Sequence, residues 1–377
     1  MDRLSSLVFL NGVMSREIVA ACTEGELSPE EIAAGGPVLW RRLGCPEKTV
    51  SLLNDRFETG WAHRERERCA MQEISLTTWG SDEYPAALNR LPDPPLVLYR
   101  KGACSCTEGV GIVGTRRCSP YGRSVARDLA GRLSLYGRKV ISGGARGIDT
   151  AGHEGCVDAG GKTLAVLGTG IDRVYPAANR ALFERIIEQG ALLSEFPLGF
   201  SARNWTFPRR NRLIAALSAP LVVVEAPARS GAIITARIAL EVGRDVWSVP
   251  GRITDTLSAG SNALIADGAY PLVDVDQFLQ QVTGSQGILD FGQEKKEAAT
   301  REETARSLSG EEEKVYRLLR EAGGCTVDNI AARAKMSATD VLRILGILSV
   351  EGIVANDGPG RWSAAGRKKA RLRGKKH

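Results

Sequence analysis

Arginines gather at three points of this chain where helices are expected to begin. Gly114-Thr115-Arg116-Arg117 runs into Ser119 and Pro120, an N-cap and first-position pair. Ser142-Gly143-Gly144-Ala145-Arg146-Gly147 runs into a helix expected near Asp149. Arg203-Asn204-Trp205-Thr206-Phe207-Pro208 precedes a helix expected over Arg209–Leu217, which opens with Arg209, Arg210, Asn211 and Arg212. A helix start presents unpaired N–H groups and the positive end of the helix dipole. A cation placed there costs about 0.3–1 kcal/mol unless an anion lies between the two. Glycines let backbone amides approach such an anion closely. The chemistry on offer is phosphate binding at adjacent subsites, carried most directly by Arg116, Arg146 and Arg212.

The surroundings extend this reading from phosphate to a strand of nucleic acid. Residues 110–146 hold eight basic side chains and one acid, Asp128; residues 203–212 hold four arginines and no acid. Trp205 and Phe207 interleave with that charge. An aromatic beside a basic track suits unstacked bases, at about 1–3 kcal/mol per base, and suits duplex poorly because duplex hides base faces. Simpler roles compete at several positions. Arg123, Arg127 and Arg132 fit a solvated helix face. Trp205 fits core or platform, and Phe207 fits a hydrophobic staple or a base platform. Asp149 fits a helix cap, with His153 packed under the loop, better than an acid–base pair.

These loops need a scaffold that brings them to one edge. Short apolar runs at Val110–Val113, Lys139–Ile141, Thr163–Leu167, Ala191–Leu193, Leu221–Val224 and Val246–Val249 alternate with helical stretches. That alternation predicts an open, mostly parallel α/β sheet, with strand C-termini along a common edge. Two nucleotide motifs fail on position. Gly109-Val-Gly111-Ile-Val-Gly114 matches GxGxxG, but its first glycines precede or lie inside the strand rather than opening a helix. Gly160-Gly161-Lys162-Thr163 lacks the earlier glycine of a P-loop, has Cys156 there, and leads into a strand. It reads as a helix C-cap. The sequence implies no cofactor and no metal: the histidines are 63, 153 and 377, without an HExxH motif or carboxylate cluster.

Upstream, residues 1–75 read as short helices, such as Arg16–Cys22 and Ser28–Ala34, followed by a Pro-rich connector. Residues 284–308 are polar and charge-rich, a linker. Residues 309–365 predict three helices and a hairpin turning at Asn356-Asp357-Gly358-Pro359-Gly360, the plan of a winged helix. Its third helix, Ser337–Glu351, offers Arg343 against Asp340 and Glu351, poor equipment for a major groove. The last eleven residues carry seven Lys and Arg; without them the net charge of +6 becomes −1. That tail, residues 366–377, either adds nonspecific affinity for DNA or only solubilises. Eight scattered cysteines without a CxxC, a start unlike a signal peptide and the lack of a membrane-length apolar run predict a cytoplasmic protein with reduced thiols.

Taken in order, these residues resemble the DprA/Smf family, the DNA-processing proteins of bacterial natural transformation. The resemblance runs from Trp79 to about Leu272. It rests on Trp79-Gly80 with Tyr84-Pro85, Pro94-Pro95 with Leu98-Tyr99, Val113-Gly114-Thr115-Arg116, and Ser142-Gly143-Gly144-Ala145-Arg146-Gly147-Ile148-Asp149 with His153. Gly168-Thr169-Gly170-Ile171-Asp172 with Tyr175-Pro176, Ser194-Glu195-Phe196-Pro197, Phe207-Pro208-Arg209-Arg210-Asn211-Arg212, Ser230-Gly231-Ala232 with Ile234-Thr235-Ala236, and Val249-Pro250-Gly251 follow in order. The family pattern has Ser or Ala where this chain has Thr115, and a basic residue can occur where it has Asn204.

The resemblance implies a helical SAM-like domain over 1–75, an extended Rossmann-like, doubly wound core over 76–283 and a C-terminal winged helix. It implies binding of single-stranded DNA, no catalysis, a homodimer, for which residues 260–273 are a candidate surface, and delivery of DNA to RecA against single-strand-binding protein. Arg116 would hold a phosphate and Phe207 would stack a base. The competing function is a Rossmann-like enzyme hydrolysing the N-glycosidic bond of nucleoside monophosphates. Its Pro-Gly-Gly-x-Gly-Thr loop has only Ser230-Gly231-Ala232-Ile233-Ile234-Thr235 to match it here, with Glu241 downstream.

Overall fold

The computed structural model describes residues 1–25, 27–283, 310–322, 325–350, 354–358 and 361–364. The chain divides into two compact units, Met1–Gln293 and Glu294–His377. The linker expected over 284–308, the tip of the C-terminal hairpin and the basic tail lie outside the described residues.

The first unit opens with helices α1 (Arg3–Asn11), α2 (Arg16–Thr23), α3 (Pro29–Ala34), α4 (Gly36–Arg42), α5 (Glu47–Glu58) and α6 (Trp61–Met71). Asp2, Ser15 and Ser28 cap the first three, Ser28 in a full capping box with Glu31. Helix α1 buries Ser6 to Asn11 at the centre of the group. Its Leu7, Val8 and Leu10 share a hydrophobic cluster with Val97, Tyr99 and Leu192 of the sheet. The helices are therefore built into the sheet's own core.

The sheet has strands β1 (Ser75–Thr78), β2 (Val97–Lys101), β3 (Gly109–Val113), β4 (Val140–Ser142), β5 (Thr163–Val166), β6 (Ala191–Ser194), β7 (Ser218–Val223), β8 (Val246–Ser248) and β9 (Tyr270–Pro271). Their spatial order is β1-β2-β6-β5-β4-β3-β7-β8-β9. Pairs β1–β2 and β2–β6 are antiparallel and the rest are parallel. Helices α7 (Pro120–Leu135), α8 (Ile148–Asp158), α9 (Arg180–Gln189), α10 (Thr206–Leu217), α11 (Gly231–Glu241), α12 (Ala259–Ala266) and α13 (Val275–Thr283) complete the unit. Ile112, Val110 and Val222 meet α7, α8 and α13 on one face, while Val113, Leu221 and Val223 meet α10 and α11 on the other. This is the doubly wound, mostly parallel arrangement expected from the alternating apolar runs. Strands β3, β4, β5 and β6 are buried throughout and β7 nearly so, which is why these runs read as continuously apolar.

The strand order reverses between β3 and β7, and a crevice is expected beyond their C-terminal ends. Gly109 and Gly111 lie inside β3, where a Cβ on Gly111 would fall 2.0 Å from the Ser218 hydroxyl. Packing against β7 accounts for this part of the GxGxxG match. Gly160, with φ +70°, follows the last turn of α8, as the C-cap reading requires.

The second unit contains α14 (Gly310–Ala322), β10 (Cys325–Thr326), α15 (Val327–Ala334), α16 (Ala338–Val350), β11 (Val354–Gly358) and β12 (Arg361–Ala364). Its strands form an antiparallel sheet in the order β10-β12-β11, and Val315, Leu319, Ile330, Val341 and Leu345 make its core. Ser337 accepts the Asp340 N–H at the start of α16. Arg343 lies 3.9 Å from Glu311 on α14.

Candidate nucleic-acid interface

The loop after β3 carries Gly114 to Ser119 and is pinned from β7. Val113 pairs with Val223, and two residues further on the Thr115 N–H donates to the Glu225 carbonyl at 2.7 Å. At the far end of the loop, the Ser119 N–H donates to Glu225 Oε2 at 2.9 Å and the Ser119 hydroxyl donates to Oε1. The same hydroxyl caps α7 by accepting the Gly122 N–H. Glu225 is 2% exposed. The anion expected at the start of α7 is thus the protein's own carboxylate. Arg116 and Arg117 project between the two pinned ends and are exposed.

The loop after β4 repeats the device. Asp149, in the first turn of α8, accepts the Gly143 and Ala145 N–H groups at 3.2 and 3.3 Å. It serves the preceding loop rather than capping the helix, because α8 already begins at Ile148. Burial raises the Asp149 carboxyl above its ordinary range, against the opposing pull of Arg210 and the loop amides. Gly147 has φ +81°, and a Cβ there would lie 2.3 Å from the Thr115 carbonyl. This glycine lets the second loop nest on the first, where the Ile148 N–H donates to the Thr115 carbonyl. Ser142 and Gly144 are interior: the Ser142 hydroxyl donates to Ile112, and the Gly144 carbonyl accepts from Asn179. Arg146 is exposed.

At the third junction α10 starts at Thr206, three residues before the expected Arg209. Thr206 closes a turn with Arg203, and Pro208 sits in the first turn, where its missing N–H has no partner to lose. Arg212 and Arg209 do not face a ligand: both pair with Glu195, which is fully buried, and both lie within 4 Å of Asp93. Arg210 is 4% exposed, donates to the Gly143 and Val166 carbonyls and contacts Asn211. Burial lowers its pKa to about 10, countered by Asp149, so it stays cationic at neutral pH. Asn211 holds the Gly231 carbonyl. Arg203 is exposed, 5.6 Å from the Phe200 ring, and Trp205 sets its edge against Phe196 and Phe200 while remaining 45% exposed.

Each arginine-rich junction therefore has an internal carboxylate: Glu225, Asp149 and Glu195. Among the described residues, Arg116, Arg117, Arg146 and Arg229 have no carboxylate within ion-pairing distance. They surround two adjoining cavities of about 590 and 410 Å³ at the crevice. Arg116, Arg117, Ala145 and Arg210 border both. The larger is closed by Phe207 and Tyr175, the smaller by Arg229 and Ser230. Of the expected site residues, Gly114, Thr115, Arg116, Gly143, Arg146, Phe207, Arg210 and Asn211 line this cleft. Ser142, Gly144, Gly147, Arg203, Arg209 and Arg212 do not. Tyr175 and Arg229 were not singled out as site residues; Tyr175 stood only within the Tyr175-Pro176 pair. Its ring packs 5.4 Å from Phe207 and is 47% exposed.

A cavity of about 990 Å³ lies at the opposite ends of the strands, but Asp82 and Glu83 stand on its wall and its Lys139 is held by Ser105 and Thr107. It is poorly suited to an anion. Among the described residues no cluster of His, Cys, Asp and Glu could hold a metal ion, and no helix is long and apolar enough to cross a membrane.

The sequence profile of the family described as DNA recombination-mediator protein A matches residues 75–283, from β1 to the end of α13. The chain belongs to this family. Protein Smf of Synechocystis is 43% identical over 301 residues, 72% of this chain and 75% of the relative. DNA processing protein DprA of Streptococcus pneumoniae is 36% identical over 262 residues, covering 69% of this chain and 90% of the relative. The X-ray structure of that DprA superposes with a TM-score of 0.60 at 32% identity, over 74% of this chain and 95% of that one. A structure of DNA processing protein A from Helicobacter pylori, described for its single-stranded DNA binding mode, superposes at 0.51 and 29% identity, over 55% and 95%.

Proposed function

We propose that this protein is a single-stranded DNA-binding recombination mediator acting in natural transformation. It holds incoming strands at the β3–β7 crevice, protects them and passes them to RecA in competition with single-strand-binding protein. The observation that carries the reading is the division of charge at the crevice. Arg209 and Arg212 pair with the buried Glu195 and Arg210 donates to backbone carbonyls, whereas Arg116, Arg117, Arg146 and Arg229 are left facing solvent beside the exposed Tyr175 and the half-buried Phe207. Phosphates answer the four solvent-facing arginines and bases answer the two rings. Family membership supports the same reading. Self-association fits the outer edge of the sheet at β9, where Tyr270 and Val273 are exposed. A role in binding rather than catalysis is supported by the cleft lining. Asp149 is its acidic side chain among the described residues, and that carboxylate is engaged by two loop amides.

The test is fluorescence anisotropy of a labelled dT oligomer across a salt series, beside a duplex of equal length. Four neutralised phosphates give a log–log slope of about −3 for a single strand. Arg116→Ala should flatten it by about 1. Phe207→Ala should weaken binding by about 1–3 kcal/mol with the slope kept. Equal affinity for duplex, or wild-type binding by both variants, would sink the reading. Release of free base from nucleoside monophosphates would favour the hydrolase instead.

A further inference from the structure

We propose that Glu225 is a positioning residue for single-stranded DNA, acting through Ser119 to hold Arg116 and Arg117 at the crevice. The proposal rests on the reading of the crevice as the DNA site. Glu225 is buried and lines neither cavity. It nevertheless holds both ends of the loop that carries the two arginines: its carbonyl takes the Thr115 N–H, and its carboxylate takes the Ser119 N–H and hydroxyl. The loop's remaining side-chain bond is internal, from the Arg117 N–H to the Thr115 hydroxyl. The loop after β4 adds a restraint at the Thr115 carbonyl, which accepts the Ile148 N–H, but at the Ser119 end the loop is held by Glu225. Arg116 and Arg117 are exposed, and the Arg116 guanidinium lies against the Phe207 ring.

Two effects of this carboxylate oppose each other, and the sign of the outcome separates them. Its negative charge lies close to the loop, so by Coulomb's law alone its removal should strengthen binding of a polyanion. As a clamp, its removal should weaken binding, because two long cations must then be ordered by the DNA itself. Burial and paired hydrogen bonds favour the clamp. The carboxylate is already committed to the start of α7 and to Ser119, so its charge is largely spent locally.

The experiment compares wild type, Glu225→Gln, Arg116→Ala and the double variant, as full chains, by the dT-oligomer salt series. Glutamine keeps the shape but removes the charge, so both charge-assisted bonds to Ser119 are weakened and the hydroxyl contact survives only with its direction reversed. Ser119→Ala, which removes the hydroxyl end of the clamp together with the α7 cap, gives a second route should Glu225→Gln fail to fold. Either variant is expected to weaken binding about tenfold. The slope should flatten by about 1, with little further loss in the Arg116→Ala background. Unchanged or tighter binding overturns the proposal. So does a loss that adds fully to that of Arg116→Ala, which would mark an effect on the fold at large. If Arg116→Ala itself binds like wild type, the DNA site is misplaced and the proposal falls with it. If Arg116→Ala weakens binding and neither clamp variant does, only the role of Glu225 is lost.

Discussion

The guanidinium carbon of Arg116 lies 4.9 Å from the centre of the Phe207 ring. This contact joins the loop after β3 to the first turn of α10, and so joins the expected phosphate ligand to the expected base platform. A planar cation can lie flat on a ring while its edge donates to phosphate; an ammonium, compact and strongly hydrated, covers less of the ring. Arg116→Lys should therefore keep the salt slope, since the charge remains, and lose about 0.5–1 kcal/mol of affinity, roughly two- to fivefold. Salt-series anisotropy separates the two effects. A slope as flat as that of Arg116→Ala would mean that lysine no longer reaches the phosphate, and that planarity is not what matters.

Tyr175 extends the platform. It is half exposed, its ring is tilted at 41° to Phe207, and it closes the same cavity. An open aromatic face next to a free arginine fits a second base. Tyr175→Ala should weaken dT binding by about 1–3 kcal/mol, while Tyr175→Phe should be nearly neutral. Quenching of 2-aminopurine placed along the oligomer checks this directly. If Tyr175→Phe lost as much as Tyr175→Ala, the hydroxyl would be the contact and stacking would be the wrong account.

Arg212 and Glu195 set the opposite case. The pair is buried, and Arg209 shares the same carboxylate oxygen. Removing one partner leaves charge stranded in the interior, at about 3–5 kcal/mol. Glu195→Ala should thus lower unfolding free energy in urea by that order. Arg212→Met, once folded, should bind DNA with the wild-type salt slope. A slope flatter by one unit would reassign Arg212 to the phosphates.

The alternation of apolar runs and loops made the sheet legible, because strands buried on both faces leave continuous apolar stretches. The three arginine-rich junctions were legible for the same reason, as residue types at strand ends. What pattern alone did not separate was internal from external anions. Glu195 and Glu225 lie just past the C-terminal ends of β6 and β7, 17 and 106 positions from Arg212 and Ser119, and the sheet brings them to the helix starts. Arg212 was thus expected to face a phosphate, whereas the chain supplies its own carboxylate. Tyr175 was similarly masked: nothing local marks its ring as the neighbour of Phe207, thirty-two positions later.

His153 gives the pH behaviour of the core. The Thr163 hydroxyl donates its proton to the Val140 carbonyl, so it accepts from His153 Nδ1, 2.8 Å away. The neutral ring therefore carries its proton on Nδ1, and Nε2 is buried without a hydrogen-bond partner. Protonating Nε2 would place a charge in a buried site that already feels Arg210. Burial and that repulsion lower the His153 pKa to about 3 from an ordinary 6.5. For a base with a depressed folded-state pKa, the stability is full above 6.5 and is lost as pH falls toward 3. Each unit in that window costs about 1.4 kcal/mol. Asp149, whose carboxyl is raised, acts in the opposite sense: it favours the folded state as pH falls through its own range. It is present in both wild type and variant, so comparison removes it. His153→Asn should have a shallower acid limb, gaining on wild type by about 3 kcal/mol between pH 6.5 and 4 in urea unfolding. Parallel acid limbs in the two proteins would mean that His153 is reached by water and titrates near its ordinary value.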